Sequence, residues 1–360
     1  MARDAILVTG GAGFAGAHLC QHLLDNTDWD VVVLDRITYA GSLERLVDVR
    51  RDYSDRLRFV FHDMRGQYPA SVLHALGNVC WVIHNGAETH VERSLHDPET
   101  FCQSNVLGTL HTLEAARQLR VEHFVYVSTD EVLGAALDGV DFDEQAQIRP
   151  SNPYAASKAG GEALAFSYWK AFGLPVTITR TMNLFGERQH PEKFIPMTMR
   201  KIAAAEPLTI HGDVSGRSGA RKWLHARNQA SALLFLLHEG QVKEGVRFPV
   251  KIGQTFHIAG EEHTNLEIAR LIADEMGADF AYEVRDFKLE RPGHDFRYSL
   301  DDSKLRSLGW FPPVPFEESL RRTVSWSIQP QNAYWLEDGP GGHSIASAAS
   351  KANLARSRGV

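Results

Sequence analysis

A strand, a glycine-rich turn and a helix follow one another at the start of the chain, and this order restricts the possible folds more than any other feature. The apolar run at residues 5–8 leads into Gly10, Gly13 and Gly16, after which leucines recur at helical spacing. Glycine lacks the Cβ that would keep the backbone away from a diphosphate, and the following helix offers free N–H groups to the anion. The pattern therefore predicts a dinucleotide-binding βαβ unit.

An acidic residue ends the second predicted strand. Residues 31–34 are apolar and β-prone, and Asp35 follows them at the distance expected for an acid that binds a ribose diol. A carboxylate at this position accepts hydrogen bonds from the 2′-hydroxyl and repels a 2′-phosphate, so NAD is favoured over NADP. Arg36 is a counter-argument, because an arginine there could hold a phosphate.

Strand and helix patterns alternate through the first half of the chain, which predicts an α/β fold with a Rossmann-type, doubly wound parallel sheet. Later segments, with strands near 208–211 and 256–259 and helices at 226–238, 266–276 and 316–327, are interpreted as a smaller C-terminal substrate-binding lobe. The predicted division is a NAD-binding domain at 1–182, which exchanges segments with the lobe, the substrate-binding lobe at 183–328 and a tail at 329–360. We expect the tail to be extended or partly disordered, or to carry a short helix at 346–356.

The composition excludes several functional classes. The formal net charge of −7 provides no basic surface for nucleic acid, and no apolar run is long enough to cross a bilayer. Cys20, Cys80 and Cys102 are scattered, which is typical of reduced and mostly buried thiols in a cytoplasmic protein and indicates neither a disulfide framework nor a metal site.

A tyrosine and a lysine four residues apart form the first candidate catalytic pair. Tyr154 and Lys158 would lie on one face of a helix, one turn apart. A free tyrosine has a pKa of about 10, and a nearby ammonium would lower that pKa and favour the phenolate. Tyr154 could then take a proton from a sugar hydroxyl as a hydride leaves the same carbon.

Two adjacent acids form the second candidate group. Thr129, Asp130 and Glu131 follow a predicted strand at 124–128. Elimination of water needs one base and one acid. Neighbouring side chains on a strand point in opposite directions, so both acids can face one pocket only if the strand turns at this point.

These motifs together resemble the extended short-chain dehydrogenase/reductases and, within them, the dTDP-glucose 4,6-dehydratases. The resemblance covers residues 5–327. The pieces that carry it, beside the glycine turn, are 38–41 (Thr-Tyr-Ala-Gly), 87–94 (Ala-Glu-Thr-His-Val-Glu-Arg-Ser), 128–134, 152–158, 190–196 (His-Pro-Glu-Lys-Phe-Ile-Pro) and 291–295 (Arg-Pro-Gly-His-Asp), with Arg297 and Tyr298 following. Many relatives share the glycine turn and the Tyr/Lys pair, whereas few carry Thr-Asp-Glu before them.

The resemblance implies a role for each catalytic residue. Tyr154, assisted by Lys158, removes the proton of the C4 hydroxyl while NAD takes hydride from C4, and Thr129 hydrogen-bonds that oxygen. Glu131 then removes the C5 proton and Asp130 protonates the departing C6 hydroxyl. Return of hydride to C6 gives a 4-keto-6-deoxy sugar, so NAD is recycled and can stay tightly bound.

The resemblance also implies contact residues for both ligands. The cofactor contacts, in addition to Tyr154 and Lys158, are expected from Gly10, Gly13, Phe14, Ala15, Gly16, Asp35, Thr38, Asp63, Met64, Ala87 and Ser104. The substrate contacts are expected from Glu88, Thr129, Asn183, Lys193, Arg221 and His294, with Arg221 binding the diphosphate bidentately. Asn105 is expected to brace the central strands. Relatives also pair the helices near 105–120 and 154–172 into a four-helix bundle, which predicts a homodimer; Leu107, Leu110, Leu113, Leu164 and Phe166 would be its apolar residues.

Several departures from the family pattern leave the substrate open. Leu133 replaces a tyrosine, Lys222 an aspartate, and Asn228-Gln229 an acidic residue and a histidine. The donor is therefore dTDP-, UDP- or another NDP-glucose. The alternatives are a 4-epimerase or decarboxylase of the same fold, which would have no use for the acid Asp130, and a catalytically silent nucleotide-sugar-binding protein.

Overall fold

The computed structural model describes residues 3–213, 216–238, 252–287 and 296–337. Within them, the predicted parallel sheet is confirmed: seven strands lie in the order β10-β6-β5-β4-β1-β2-β3, and every neighbouring pair is parallel. These strands are β1 (Ala5–Thr9), β2 (Asp30–Asp35), β3 (Leu57–Phe61), β4 (Val79–His84), β5 (His123–Thr129), β6 (Val176–Thr181) and β10 (Gln254–Ile258).

Helices cover both faces of this sheet, which explains why β1 and β2 are almost continuously apolar. On one face Leu19 and Leu23 of the first helix pack with Leu233 and Leu237 of a later one. On the other face a second cluster contains Leu113, Ala116, Ala165 and Tyr168. The helices are α1 (Phe14–Asn26), α2 (Val47–Asp52), α3 (Ala70–Leu76), α4 (Val91–His96), α5 (Pro98–Cys102), α6 (Gly108–Leu119), α7 (Pro153–Phe172), α8 (Phe194–Ala203), α9 (Ala226–His238), α10 (Asn265–Met276), α11 (Ser303–Ser307), α12 (Phe316–Ser327) and α13 (Tyr334–Glu337).

A smaller layer of strands and helices lies beside the sheet. In it β9 (Ala220–His225) pairs with β7 (Leu184–Phe185), β11 (Glu261–Thr264) and β13 (Arg297–Tyr298), while β8 (Leu208–Gly212) pairs with β12 (Tyr282–Asp286). Its core joins Ile195 and Met199 of α8 to Ile268 and Ile272 of α10 and to Leu320 of α12.

Two segments interpreted as parts of the smaller lobe pack with the large sheet instead, one as a strand and one as a covering helix. Strand β10 pairs with β6 along its whole length, and α9 packs on the core beside α1. Their sequences are apolar in either location, so the pattern alone could not assign them. The predicted helix from residue 105 also differs, because Gln103–Leu107 forms a π-helical turn before α6 begins.

Three expectations about exposure need correction. Cys20 is buried, but Cys80 is half-buried and Cys102 is exposed, and all three thiols are free. The first part of the predicted tail is folded, since Trp335 and Leu336 of α13 are buried; residues 338–360, including the alternative helix, lie outside the described residues. Leu113 belongs to the core, whereas Leu107 and Phe166 are 45% and 44% exposed.

No helix in the described part of the chain has both the length and the apolar character needed to cross a membrane.

Candidate active site

A deep cleft opens at the carboxyl ends of β1, β2, β4, β5 and β6, where parallel α/β sheets bind their ligands. Most of the predicted site residues line it together. The lining residues from that set are Gly10, Gly13, Phe14, Ala15, Asp35, Thr38, Met64, Ala87, Glu88, Ser104, Thr129, Asp130, Glu131, Tyr154, Lys158, Asn183 and Lys193.

The glycine turn forms the floor of the cleft at the start of α1. Gly10 has φ +68, and a Cβ there would lie 2.6 Å from the Gly86 Cα. Gly16 is outside the lining residues, but a Cβ on it would lie 2.1 Å from the Gly10 carbonyl oxygen. Gly10 and Gly13 therefore face the cleft, while Gly16 lets the helix pack against the turn.

The acid at the end of β2 is held by backbone groups. Asp35 Oδ2 accepts a hydrogen bond from Ala12 N at 3.1 Å, and Oδ1 accepts one from Ile37 N at 2.8 Å. Burial raises its pKa, and these backbone hydrogen bonds oppose that effect. Arg36 donates to Asp63 at 3.1 Å and to Glu88 at 3.3 Å. Because two carboxylates already engage Arg36, its presence argues less strongly for a 2′-phosphate.

The other predicted cofactor residues divide into two groups. Met64, Ala87 and Ser104 line the cleft, whereas Asp63 lies behind it and binds Arg36 and Arg65. Asn105 joins two walls of the cleft, because its amide bonds both backbone groups of Glu88 and donates to Ser157 Oγ on α7.

The chemistry of the cleft fits a dinucleotide. The glycine turn leaves backbone exposed where side chains would otherwise stand. The hydroxyls of Ser104 and Ser128 are buried and have no hydrogen-bond partner among the described residues, although both residues line the cleft. Buried polar groups are normally satisfied. A ligand rich in hydroxyl and phosphate oxygens would satisfy them.

The tyrosine and lysine are held on α7 as predicted, but burial dominates their titration. Lys158 Nζ donates to the Val127 carbonyl at 2.7 Å and lies 4.4 Å from the centre of the Tyr126 ring. Burial lowers the pKa of Lys158 to about 7, against the opposing charge of Glu162. Burial, followed by the charge of Glu131, raises the pKa of Tyr154, while a hydrogen bond with Thr129 lowers it. The predicted lowering by Lys158 is therefore not the dominant effect in this structure.

The acids stand where the strand turns, as the prediction required. Strand β5 ends at Thr129 and a 3₁₀ turn covers Asp130–Leu133. Thr129 Oγ1 donates to Asp130 Oδ1 at 3.0 Å and accepts from Glu131 N at 3.3 Å. Asp130 Oδ2 is buried without a partner among the described residues. Burial, then the charge of Glu131, raises the pKa of Asp130 to about 7, so this carboxyl can hold a proton at neutral pH.

The predicted substrate residues are only partly brought together. Glu88, Asn183 and Lys193 line the cleft. Arg221 is outside the lining residues: it donates to the carbonyls of Ala220 at 2.7 Å and Phe296 at 2.5 Å, and stacks over Tyr298. Its charge nevertheless lowers the pKa of Asp130, so it lies near the acid turn. His294 lies outside the described residues.

A polar cluster, of which Tyr39, His190 and Glu192 line the cleft, is not among the residues predicted for the site. Glu192 lies 3.5 Å from His90 and 3.5 Å from His190, and 3.9 Å from Arg93. Arg93 in turn stacks on Tyr39 at 3.6 Å. All five residues occur in or next to the motif pieces quoted above, but nothing in their spacing indicates that they meet. Gln229, whose buried amide nitrogen has no partner in the described part of the chain, also lines the cleft.

Comparisons with known proteins agree with this geometry. A family model described as GDP-mannose 4,6 dehydratase matches residues 7–323. The low-salt glycan biosynthesis protein Agl12 of Haloferax volcanii is 39% identical over 324 residues, covering 90% of this chain and 98% of that protein. The dTDP-glucose 4,6-dehydratase of Neisseria gonorrhoeae is 38% identical over 347 residues, covering 90% and 95%. The crystal structure of DesIV, a dTDP-glucose 4,6-dehydratase from Streptomyces venezuelae with NAD bound, superposes with a TM-score of 0.80 at 38% identity, covering 92% of this chain and 99% of that one.

Proposed function

The chain belongs to this 4,6-dehydratase family of extended short-chain dehydrogenase/reductases, and we propose that it is an NAD-dependent hydro-lyase that converts dTDP-glucose to its 4-keto-6-deoxy product. One observation carries the proposal: Thr129, Asp130, Glu131 and Tyr154 meet on one wall of a cleft whose floor is a dinucleotide-type glycine turn.

The residues of the chain divide the reaction between them. Tyr154 takes the proton of the C4 hydroxyl, and Thr129, which bonds both Tyr154 and Asp130, orients that oxygen. NAD, when bound, would supply the hydride acceptor for C4 and the hydride donor for C6. The C4 ketone acidifies the C5 proton, which Glu131 removes and gives back to C5 when hydride adds to C6. Asp130 gives its proton to the departing C6 hydroxyl, and its raised pKa suits a group that must arrive protonated.

Binding roles remain proposals for the individual residues. We keep the cofactor and catalytic contacts as predictions, and we assign supporting positions to Gly16 and Asp63, which are outside the lining residues. We assign the sugar and diphosphate to Glu88, Asn183 and Lys193, with His294 as a partner on the far side. Arg221 Nη1 donates to two backbone carbonyls, so a diphosphate would have to bind the other guanidinium nitrogens. In this proposal residues 1–182 form the NAD-binding domain and residues 183–328 form the nucleotide-sugar lobe. Two elements of the second range, α9 and β10, pack with the NAD-binding domain.

The competing functions fit the acid turn less well. An epimerase or decarboxylase needs no proton donor at C6, yet Asp130 is buried in the cleft wall with one oxygen free of partners among the described residues. A silent binding protein would not require a carboxyl whose pKa stands near neutrality.

We also propose a homodimer in the cytoplasm. Leu107, Phe166 and Phe172 expose 44 to 57% of their surface along the region of α6 and α7, and a four-helix bundle with a second copy would cover them. Sedimentation or light scattering at micromolar concentration should give twice the monomer mass, and a monomer would contradict the bundle. The free thiols and the NAD requirement are consistent with a reducing compartment.

The test is incubation of the purified protein with dTDP-glucose and, separately, UDP-glucose, followed by product mass. Loss of one water without net consumption of NAD supports the dehydratase and identifies the nucleotide. An unchanged mass with inversion at C4 would indicate the epimerase instead. Bound NAD without turnover of either sugar would indicate the silent binding protein or another donor.

A further inference from the structure

Asn152 bonds to Glu131 of the acid turn and to the first turn of the helix that carries Tyr154 and Lys158. Its Nδ2 donates to Glu131 Oε2 at 3.0 Å, and its Oδ1 accepts from Ala155 N at 2.8 Å. The side chain is only 5% exposed. The first bond reaches the acid turn after β5, and the second caps α7, the helix that carries Tyr154 and Lys158.

The two bonds make different demands on the side chain at this position. Asparagine, aspartate and serine cap helices about equally well, so the cap does not require asparagine. A carboxylate acceptor such as Glu131, however, needs a donor, and aspartate offers none when ionised. Serine is shorter and cannot be expected to reach both partners. Among these three caps, the asparagine amide is suited to accept from the helix and donate to Glu131 at the same time.

This arrangement restricts the orientation of Glu131. A carboxylate with one oxygen fixed by a buried donor has its second oxygen confined to a small region. The donor is itself fixed by the first turn of α7, two residues before Tyr154. Glu131 is thus oriented relative to Tyr154 through a short rigid connection, although the two residues are 23 positions apart in sequence.

We propose that Asn152 is a positioning residue that holds the Glu131 carboxylate in the orientation needed to remove the C5 proton. The inference rests on the proposed dehydratase function and concerns the same site. It assigns Asn152 no contact with the sugar. Asp130, Tyr154 and Arg221 are charged or titratable groups near Glu131. The charge of Glu131 raises the pKa of Asp130 and that of Tyr154, and the charge of Arg221 lowers the pKa of Asp130.

Two substitutions separate the cap from the donor. Asn152→Ser keeps a capping oxygen and loses the donor to Glu131. Asn152→Asp keeps the cap and adds a second carboxylate beside Glu131, so the pair would share a proton at low pH. Thr264→Ala is the matched control, because Thr264 caps α10 in the smaller lobe and has no link to the catalytic residues.

The experiment compares three readouts in the wild type and these variants: the melting temperature, the single-turnover rate of C4 oxidation, and the rate of water loss with exchange of the C5 proton. We expect Asn152→Ser to slow C5 exchange and water loss by about tenfold to a hundredfold, as expected for a misplaced catalytic group. C4 oxidation and KM should change less than threefold, a limit on the order of the scatter of such measurements. Asn152→Asp should also move the acidic limb of the water-loss profile to higher pH.

The outcomes are distinguishable. If wild-type protein dehydrates neither sugar, the proposed function fails, whatever the variants do. If the wild type dehydrates and both Asn152 variants keep its water-loss rate, or lose oxidation and water loss equally, the positioning role is wrong. If Asn152→Ser lowers the melting temperature no more than Thr264→Ala while water loss alone is slowed, the role is supported. If Asn152→Ser fails to fold, the pH profile of Asn152→Asp decides by the same criteria.

Discussion

Two neighbouring parts of the cleft carry the chemistry, and they are built in different ways. The hydride pair, Tyr154 and Lys158, lies one turn apart on α7, a helix of 20 residues. The elimination pair, Asp130 and Glu131, lies on a 3₁₀ turn of four residues and is oriented by Thr129 and Asn152. Local spacing fixes the first pair, whereas contacts between separate segments fix the second. The first pair should therefore tolerate changes in its surroundings better than the second.

The largest effect should come from removing the hydroxyl of the hydride pair. Tyr154→Phe keeps the buried ring, so the fold should be unchanged. It removes the group that takes the C4 proton, and we expect C4 oxidation to fall by about 10³-fold. Water loss should stop as well, because it follows oxidation. The measurement is the absorbance of reduced cofactor in a single turnover, and substantial oxidation in this variant would assign the base elsewhere.

The next effect separates the two pairs. Asp130→Asn keeps size and polarity but removes the proton that the C6 hydroxyl needs. We expect water loss to slow by about 10²-fold while C4 oxidation continues, so reduced cofactor should accumulate. Rapid-quench analysis of sugar products against cofactor absorbance would measure both rates. Equal loss of the two steps would mean that the pairs do not act independently.

Both pairs should lose activity as pH rises through neutrality, and Asp130→Asn should separate their two contributions. Burial raises the pKa of Asp130 to about 7. Because Asp130 must be protonated to give a proton to the C6 hydroxyl, water loss should fall as pH rises through about 7. The pKa of Lys158 is lowered to about 7, so its ammonium is also lost above that pH and oxidation should weaken. Single-turnover rates from pH 6 to pH 9, roughly one unit below to two units above a pKa of about 7, would follow both losses. In Asp130→Asn the pH dependence that Asp130 gives to water loss should disappear, while the pH dependence of C4 oxidation should remain.

The smallest effect should come from outside both pairs. Asp35→Asn retains an acceptor but removes the charge at the position proposed to bind the cofactor ribose. We expect NAD to bind about tenfold more weakly, the change that 1.4 kcal/mol produces, with oxidation and water loss reduced in proportion at limiting NAD and restored at saturation. Titration calorimetry with NAD and NADP would measure it. A change in the ratio of the two steps would show that Asp35 influences chemistry as well as binding.

Much of the cofactor side could be predicted from sequence, because its determinants are local. The glycine spacing, the acid after β2 and the four-residue spacing of Tyr154 and Lys158 each specify geometry within one or two elements. The prediction that the acids stand at a strand turn was also correct, since β5 ends at Thr129. Site assignments that depend on bound ligands stay predictions.

The remaining features depend on contacts that no local pattern encodes. The contact of Glu192 with His90 joins two segments that are far apart in the sequence. The engagement of Arg221 by the carbonyls of Ala220 and Phe296 could not be read from its motif. The pKa of Tyr154 was misjudged for the same reason, because burial depends on the finished fold.

The strand Gln254–Ile258 has a consequence for how enzymes of this architecture can be recombined. It comes from the second half of the chain yet forms the edge of the large sheet beside Val176–Thr181. In a chimaera joined once near residue 182, most of the large sheet and α1 would come from one parent. The edge strand β10 and the helix α9, which packs beside α1, would come from the other. Donor preference should therefore be exchanged by grafting several interior segments around a retained β10, and a single-crossover library should be depleted of folded members.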